Sequence, residues 1–238
     1  MQASGDGRPN AARRRADLLG EKDRWWRAAD LIVGSLMRGA FRIRYAGLDR
    51  IPFEGPAIIA PNHVSVLDPV AVAMGVSEHG RTMRFLAAAE VFEHPVWGRG
   101  LRVTRQIPIR RGNRDLGALD ELVSWLKGGG LAGIFPEGRV KPSDTPLKGL
   151  SGVTRIAVAA GVPVVPVGIW GTQARWPKGP LHVRPLKRLP LAVVYGSPMS
   201  LGDEPLAGAR LREATRTIMS AIEAEMLRAR RMCEAISR

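Results

Sequence analysis

Short apolar runs alternate with amphipathic stretches along the chain from Phe41 onward, and this rhythm constrains the fold more than any other feature. Strand-like runs fall at Phe41–Tyr45, Ala57–Ala60, Arg84–Ala87, Ile107–Ile109, Leu131–Phe135, Val164–Gly168 and Leu191–Tyr195. Helical patterns fall at Pro69–Val76, Pro95–Leu101, Arg114–Lys127, Ser151–Ala160 and Glu204–Glu234. Such alternation predicts an α/β fold, a mostly parallel or mixed sheet flanked by helices. Gly128–Gly130 then read as a helix stop ahead of a strand, not as a phosphate loop. No mid-chain stretch has the composition of a linker, so residues 24–238 are expected to form one domain. Residues 1–23, with Gly5, Gly7, Pro9 and the run Arg13, Arg14, Arg15, are expected to be a disordered or loosely ordered basic segment.

Between Arg24 and Phe41 the periodicity is helical. Trp25, Ala29, Ile32 and Leu36 fall on one arc, Trp26, Val33, Met37 and Ala40 widen it, and Arg24, Arg27, Asp30, Gly34 and Arg38 lie across from it. This amphipathic N-terminal helix suits a membrane interface, where paired tryptophans sit at headgroup level. It suits a core-facing helix equally well, because periodicity does not distinguish the two.

The formal net charge of +14 draws the surface to polyanions. Two tyrosines and five phenylalanines, scattered through the chain, make no base-stacking platform, and no helix-turn-helix or zinc-finger pattern is present. An anionic membrane surface is therefore the expected partner rather than nucleic acid. No apolar run approaches the ~20 residues that span a bilayer, and the polar start lacks a secretory signal, so contact is expected to be peripheral. The single cysteine, Cys233, excludes an intrachain disulfide, and the four histidines lack the close spacing of a metal site.

Two constellations carry chemistry. In the first, the apolar run Ala57–Ala60 leads into Pro61-Asn62-His63 and on to Asp68-Pro69. Asp68 ahead of Pro69 reads as a helix N-cap, which leaves His63 on a strand-to-helix loop. On one helix, side chains five residues apart diverge by about 140°. His63 and Asp68 therefore meet only if the loop turns, and the prolines around it permit that. An imidazole with its ordinary pKa of ~6.5 can take a proton from an alcohol. A carboxylate on the other ring nitrogen fixes the tautomer and stabilises the imidazolium. Taken alone, the spacing is better read as that of a loop histidine and a capping aspartate. In the second constellation, Leu131–Phe135 ends at Pro136, and Glu137-Gly138-Arg139 form a turn. Gly138 allows close backbone approach to a ligand, and Arg139 offers a planar fork for phosphate. Ile107-Pro108-Ile109 leads into Arg110-Arg111, either a solvated corner or a second anion contact. The prolines in Val162–Gly168 point to an edge strand or a bulge.

The order of these blocks, from Asn62-His63-x4-Asp68 through Ile107–Arg111 and Phe135–Arg139 to Val162–Gly168, resembles the glycerolipid acyltransferases. That family includes the 1-acylglycerol-3-phosphate acyltransferases, and the likeness spans about residues 45–200. The resemblance implies the glycerol-3-phosphate acyltransferase-like fold, with His63 as general base and Asp68 as its partner. It places Asn62, Arg111 (or, in another register, Arg110), Glu137, Gly138 and Arg139 in the acceptor site. It implies an acyl-CoA or acyl-ACP (acyl carrier protein) donor, a lysophospholipid acceptor, no metal, no cofactor, and work at the cytoplasmic face of the cell membrane. Backbone amides near the helix starting at Pro69 are the expected oxyanion donors. Two departures stand out. Arg105 occupies the place of a glycine that usually precedes the second-block arginine, and the threonine of the usual Phe-Pro-Glu-Gly-Thr-Arg is missing. The shorter third block resembles the acyltransferase domain of bacterial acyl-carrier-protein synthetase/2-acylglycerophosphoethanolamine acyltransferases. Ile169-Trp170-Gly171-Thr172-Gln173 looks like an actinobacterial branch.

Overall fold

The computed structural model describes residues 24–110, 115–142, 147–176, 187–202 and 206–237. The basic segment 1–23, Arg111, Arg114 and the expected helix start at Glu204 lie outside the described residues. Six helices, α1 (Arg24–Ala40), α2 (Asp68–Glu78), α3 (Trp97–Val103), α4 (Leu116–Lys127), α5 (Gly152–Ala160) and α6 (Gly208–Ser237), flank seven strands among the described residues. The strands are β1 (Phe41–Ala46), β2 (Ala57–Pro61), β3 (Met83–Ala88), β4 (Ile107–Ile109), β5 (Leu131–Gly133), β6 (Val164–Trp170) and β7 (Leu189–Tyr195).

They form one mixed sheet in the order β1-β7-β6-β2-β5-β3-β4. Every neighbouring pair is parallel except β6 and β7. Both faces are covered, which is why the inner strands read as continuous apolar runs. Along β2, Ala57 and Ile59 pack with α1 and α2, whereas Ile58 and Ala60 pack with α4, α5 and α6. Ile58 and Ile59 are fully buried, each worth about 1.5–3 kcal/mol relative to exposure.

α1 divides the wide apolar arc seen in its sequence. Trp26 and Met37 are buried, with Val33 and Ala40 packed against the same core. Leu31, Ile32 and Leu36 remain 62–69% exposed. Asp30, expected on the polar side, instead accepts a hydrogen bond from Ser77 of α2 at 2.8 Å, and Gly34 is buried. The helix thus serves the core with one edge of its apolar arc and leaves the other uncovered.

β6 is not an edge strand; it lies between β7 and β2. Its prolines are tolerated because Pro163 precedes it and Pro166 stands where its antiparallel ladder with β7 stops, at Val167 opposite Tyr195. Beyond that point Val164 pairs with Met199, one residue out of register, so a bulge is present on the partner segment.

Candidate active site

The sheet's topology brings three loops together. His63 follows β2, Glu137 follows β5 and Thr172 follows β6, and these three strands are neighbours with their carboxyl ends on the same side. In open α/β sheets ligands bind beyond such ends, where connections diverge.

The His63 loop does turn back on itself. Nδ1 of His63 lies 3.0 Å from Oδ2 of Asp68. Asp68 begins α2 but does not cap it, contrary to the expectation from sequence. The N-cap position is Leu67, with no side-chain cap bond. The Asp68 carboxylate reaches back instead: Oδ2 also accepts from the backbone N–H groups of Val64 and Ser65, both at 2.7 Å. Oδ1 accepts from the Thr172 hydroxyl at 2.6 Å. Four donors thus converge on a carboxylate with no solvent exposure, the arrangement that an ionised acid requires. A carboxylate here only accepts, so against it the imidazole would carry its proton on Nδ1; no described residue bonds Nε2.

Four of the backbone amides around the start of α2, expected as oxyanion donors, are already committed. Val64 and Ser65 serve Asp68, Leu67 donates to the Ser65 hydroxyl at 3.1 Å, and Asp68 donates to the Ser65 carbonyl at 3.3 Å.

Glu137 sits beneath His63. Its Oε1 accepts the His63 backbone N–H at 2.8 Å, while the His63 carbonyl accepts from the Lys141 N–H at 2.9 Å. Glu137 Oε2 is buried without a hydrogen bond and faces the Lys141 ammonium at 3.6 Å. The cation it holds is therefore a lysine. Burial pushes the Glu137 carboxyl above the usual range, against the pull of the His63 amide and the Lys141 charge. Gly138 turns the chain with φ of 68°, where a side chain would be strained, and its N–H closes onto the Phe135 carbonyl at 3.0 Å. Arg139 is exposed and has no hydrogen-bond or ion-pair partner among the described residues.

Asn62 has a different place from the one expected. Its side chain is fully buried and bonds both backbone groups of Ile169, at 2.7 and 3.1 Å. That adds one rung to the β2–β6 pairing beyond Pro61. Arg110 is exposed, and its backbone N–H donates to Asp115, the N-cap of α4.

Sequence reasoning missed three residues of this site. Phe135 stacks on the His63 ring, with centroids 3.9 Å apart, and backs onto Phe85. Lys141 could have been found from its helix-like spacing after Glu137. Thr172 carries no local signal, being 104 residues from the carboxylate it touches. Among the described residues no cluster of His, Cys, Asp or Glu could hold a metal ion, and no helix is long and apolar enough to cross a membrane.

Known proteins resemble this chain. The family model "Acyltransferase" matches residues 42–170. A 1-acyl-sn-glycerol-3-phosphate acyltransferase of Bacillus subtilis is 25% identical over 156 residues, covering 65% of this chain and 72% of that protein. A chloroplastic enzyme of the same name from Arabidopsis thaliana is 27% identical over 143 residues, covering 58% of this chain but only 39% of its own length. The crystal structure of the 1-acyl-sn-glycerophosphate acyltransferase PlsC from Thermotoga maritima superposes with a TM-score of 0.62 at 23% identity. That match covers 91% of this chain and 87% of that one, and it shows the fold. With the family model spanning more than half its length, from β1 to the end of β6, this chain belongs to the Acyltransferase family, and its relatives include 1-acyl-sn-glycerol-3-phosphate acyltransferases.

Proposed function

We propose that the enzyme moves a fatty acyl group from acyl-CoA or acyl carrier protein to the free hydroxyl of a lysophospholipid. On this reading 1-acyl-sn-glycerol-3-phosphate is the acceptor and phosphatidic acid the product. The observation that carries this is the 3.0 Å contact between His63 and a fully buried Asp68, with Nε2 left over for a substrate.

Nε2 removes the acceptor's hydroxyl proton as that oxygen attacks the thioester carbonyl. The tetrahedral intermediate collapses, the carbon–sulfur bond breaks, and the departing thiolate takes the proton back from Nε2. No covalent acyl-enzyme forms. General-base assistance of this kind is worth about 10²–10⁴-fold. Asp68 holds the Nδ1 proton and stabilises the transient imidazolium. The Phe135 ring beneath His63 adds a cation–π contribution of about 0.5–1 kcal/mol. Arg139 and Lys141, together with Arg111, are assigned by this reading to the acceptor's phosphate. Glu137 works from below, fixing the His63 backbone. No metal or cofactor enters the scheme.

The same reading makes the enzyme a peripheral protein on the cytoplasmic face of an anionic membrane, where its acceptor resides. Leu31, Ile32 and Leu36 on α1 remain open to solvent. Val66, next to the His63 loop, and Trp97, whose ring lies 6.2 Å from that of Trp176, are also exposed and apolar. The +14 charge adds attraction to anionic lipid, about 1 kcal/mol for each well-placed basic residue.

Product identification tests the proposal. The purified enzyme is offered lysophosphatidic acid, lysophosphatidylethanolamine and a glycolipid, each with acyl-CoA or acyl carrier protein, and the products are read by mass spectrometry. Phosphatidic acid as the main product is expected; turnover confined to an acceptor without a phosphomonoester would reassign the substrate.

A further inference from the structure

The segment that follows β6 grips the catalytic loop, and one of its side chains touches the catalytic carboxylate. Between residues 62–68 and 169–176 run the two bonds from Asn62 to Ile169, the Ser65 hydroxyl to the Trp176 carbonyl at 2.5 Å, and the Thr172 hydroxyl to Asp68 at 2.6 Å. We propose that Thr172 is a positioning residue for acyl transfer: by holding Oδ1 of Asp68 it keeps Oδ2 aimed at Nδ1 of His63. This rests on the reading that His63 and Asp68 carry the reaction.

The torsion that turns a carboxylate about its bond to Cβ is broad and roughly two-fold, so nothing in Asp68 itself decides which oxygen faces which donor. Oδ2 serves three donors on one side. Thr172 is the described donor on the other side, and like Asp68 it has no solvent exposure. A carboxylate carries no hydrogen when ionised, so the hydroxyl can only donate. Thr172 is itself immobilised, because its carbonyl accepts the backbone N–H groups of Arg175 and Trp176 at 3.0 and 3.1 Å. Removing the hydroxyl would leave Oδ1 buried without a partner in a place water does not reach. The carboxylate would then gain by rotating or shifting, and the imidazole would lose the orientation that points Nε2 at the acceptor. Because the acceptor does not touch Thr172, the loss belongs in turnover and not in binding.

The test uses the full chain with Thr172→Val, Thr172→Ser and, as a control, His63→Ala. Steady-state turnover of lysophosphatidic acid with an acyl thioester is measured beside the downfield proton resonance of the His63 Nδ1–H. Thr172→Val keeps the volume and removes the donor; its kcat is expected to fall about tenfold or more with both KM values little changed. The Nδ1 proton is expected to move upfield or broaden. Thr172→Ser, which restores the donor, should recover most of the rate and the resonance. Wild-type kcat in Thr172→Val beside a dead His63→Ala overturns the role of Thr172 and leaves the His63–Asp68 pair standing. Activity retained in His63→Ala instead overturns the reading beneath it. A lowered kcat with an unmoved Nδ1 proton would make Thr172 a structural residue only, which also overturns the proposal. Should Thr172→Val not fold, Thr172→Cys, with a weaker donor in the same place, carries the same comparison.

Discussion

Four helices of this fold end in the same way, and one of them does so with a residue that resists it. At the carboxyl ends of α2, α3, α4 and α5 two successive backbone N–H groups bond back to carbonyls of the last turn. The pairs are Gly80 to Ser77 with Arg81 to Val76, Arg105 to Arg102 with Gln106 to Leu101, Gly129 to Leu126 with Gly130 to Trp125, and Gly161 to Val158 with Val162 to Ala157. The first residue of each pair is left-handed, with φ of 90°, 55°, 94° and 66° respectively. Glycine belongs there, and three of the four positions have it. Arg105 holds the same conformation against a steric cost of about 1–2 kcal/mol. Arg105→Gly releases that cost but returns part of it, about 0.5–1 kcal/mol, through the larger entropy of the unfolded chain. The backbone contribution alone is a stabilisation of about 0.5–1 kcal/mol, or about 1–4 °C in Tm for a chain of this size. Thermal unfolding followed by circular dichroism measures it. Gly129→Ala is the matched control, because a Cβ there meets nothing within 4 Å and only the backbone is perturbed. It should lower stability by about 1 kcal/mol. A lower Tm for Arg105→Gly, or no loss in Gly129→Ala, refutes the reasoning.

Other perturbations separate the parts of the account. Burial raises the Glu137 carboxyl, so the folded state binds more protons than the unfolded chain between the ordinary carboxylate pKa and the raised one. Its contribution to stability is therefore complete at acid pH and is lost as pH rises through the folded value; Glu137→Gln should flatten that decline in a Tm-against-pH series, and an unaltered slope would show that the group does not govern it. Replacing the exposed Leu31, Ile32 and Leu36 with serine should weaken binding to anionic vesicles about tenfold or more without changing the far-ultraviolet spectrum, whereas equal binding would take α1 off the membrane. Trp26→Ser acts on the opposite edge of the helix and should instead cost about 3–5 kcal/mol of stability, as emptying a buried tryptophan site does.

Much of the architecture was legible in the sequence because the elements are locally consistent. All seven strand-like runs correspond to strands, and the helix break at Gly128–Gly130 matches its backbone geometry. The boundaries that moved did so for tertiary reasons. The run Leu131–Phe135 stops being strand at Gly133, since Phe135 turns to stack on His63 and Pro136 starts the turn. Pro95–Leu101 begins and ends two residues later, at Trp97–Val103, and Glu204–Glu234 is seen as Gly208–Ser237.

At the site, the pairing of His63 with Asp68 was implied by the order of the motifs and their resemblance to a family rather than by the spacing alone, and what surrounds the pair was not legible. An aspartate ahead of a proline looks the same whether it caps its helix or reaches back over the loop. Only the fold, by presenting Val64, Ser65 and Thr172 as donors, decides the matter. The resemblance placed Asn62 in the acceptor site, whereas its amide bonds Ile169 on a strand that the chain reaches more than a hundred residues later. Partners contributed from such distance leave no local pattern to read.

The central claim is that His63 takes the acceptor's proton directly. Its sharpest test is turnover of lysophosphatidic acid and an acyl thioester by His63→Ala, with folding confirmed by circular dichroism and the protein's intact mass recorded after exposure to the donor alone. The account predicts a folded variant whose turnover falls about 10²-fold or more, and a wild-type enzyme that stays unacylated without acceptor. Turnover near that of the wild type, or a stable acyl adduct on the wild-type chain, would contradict it.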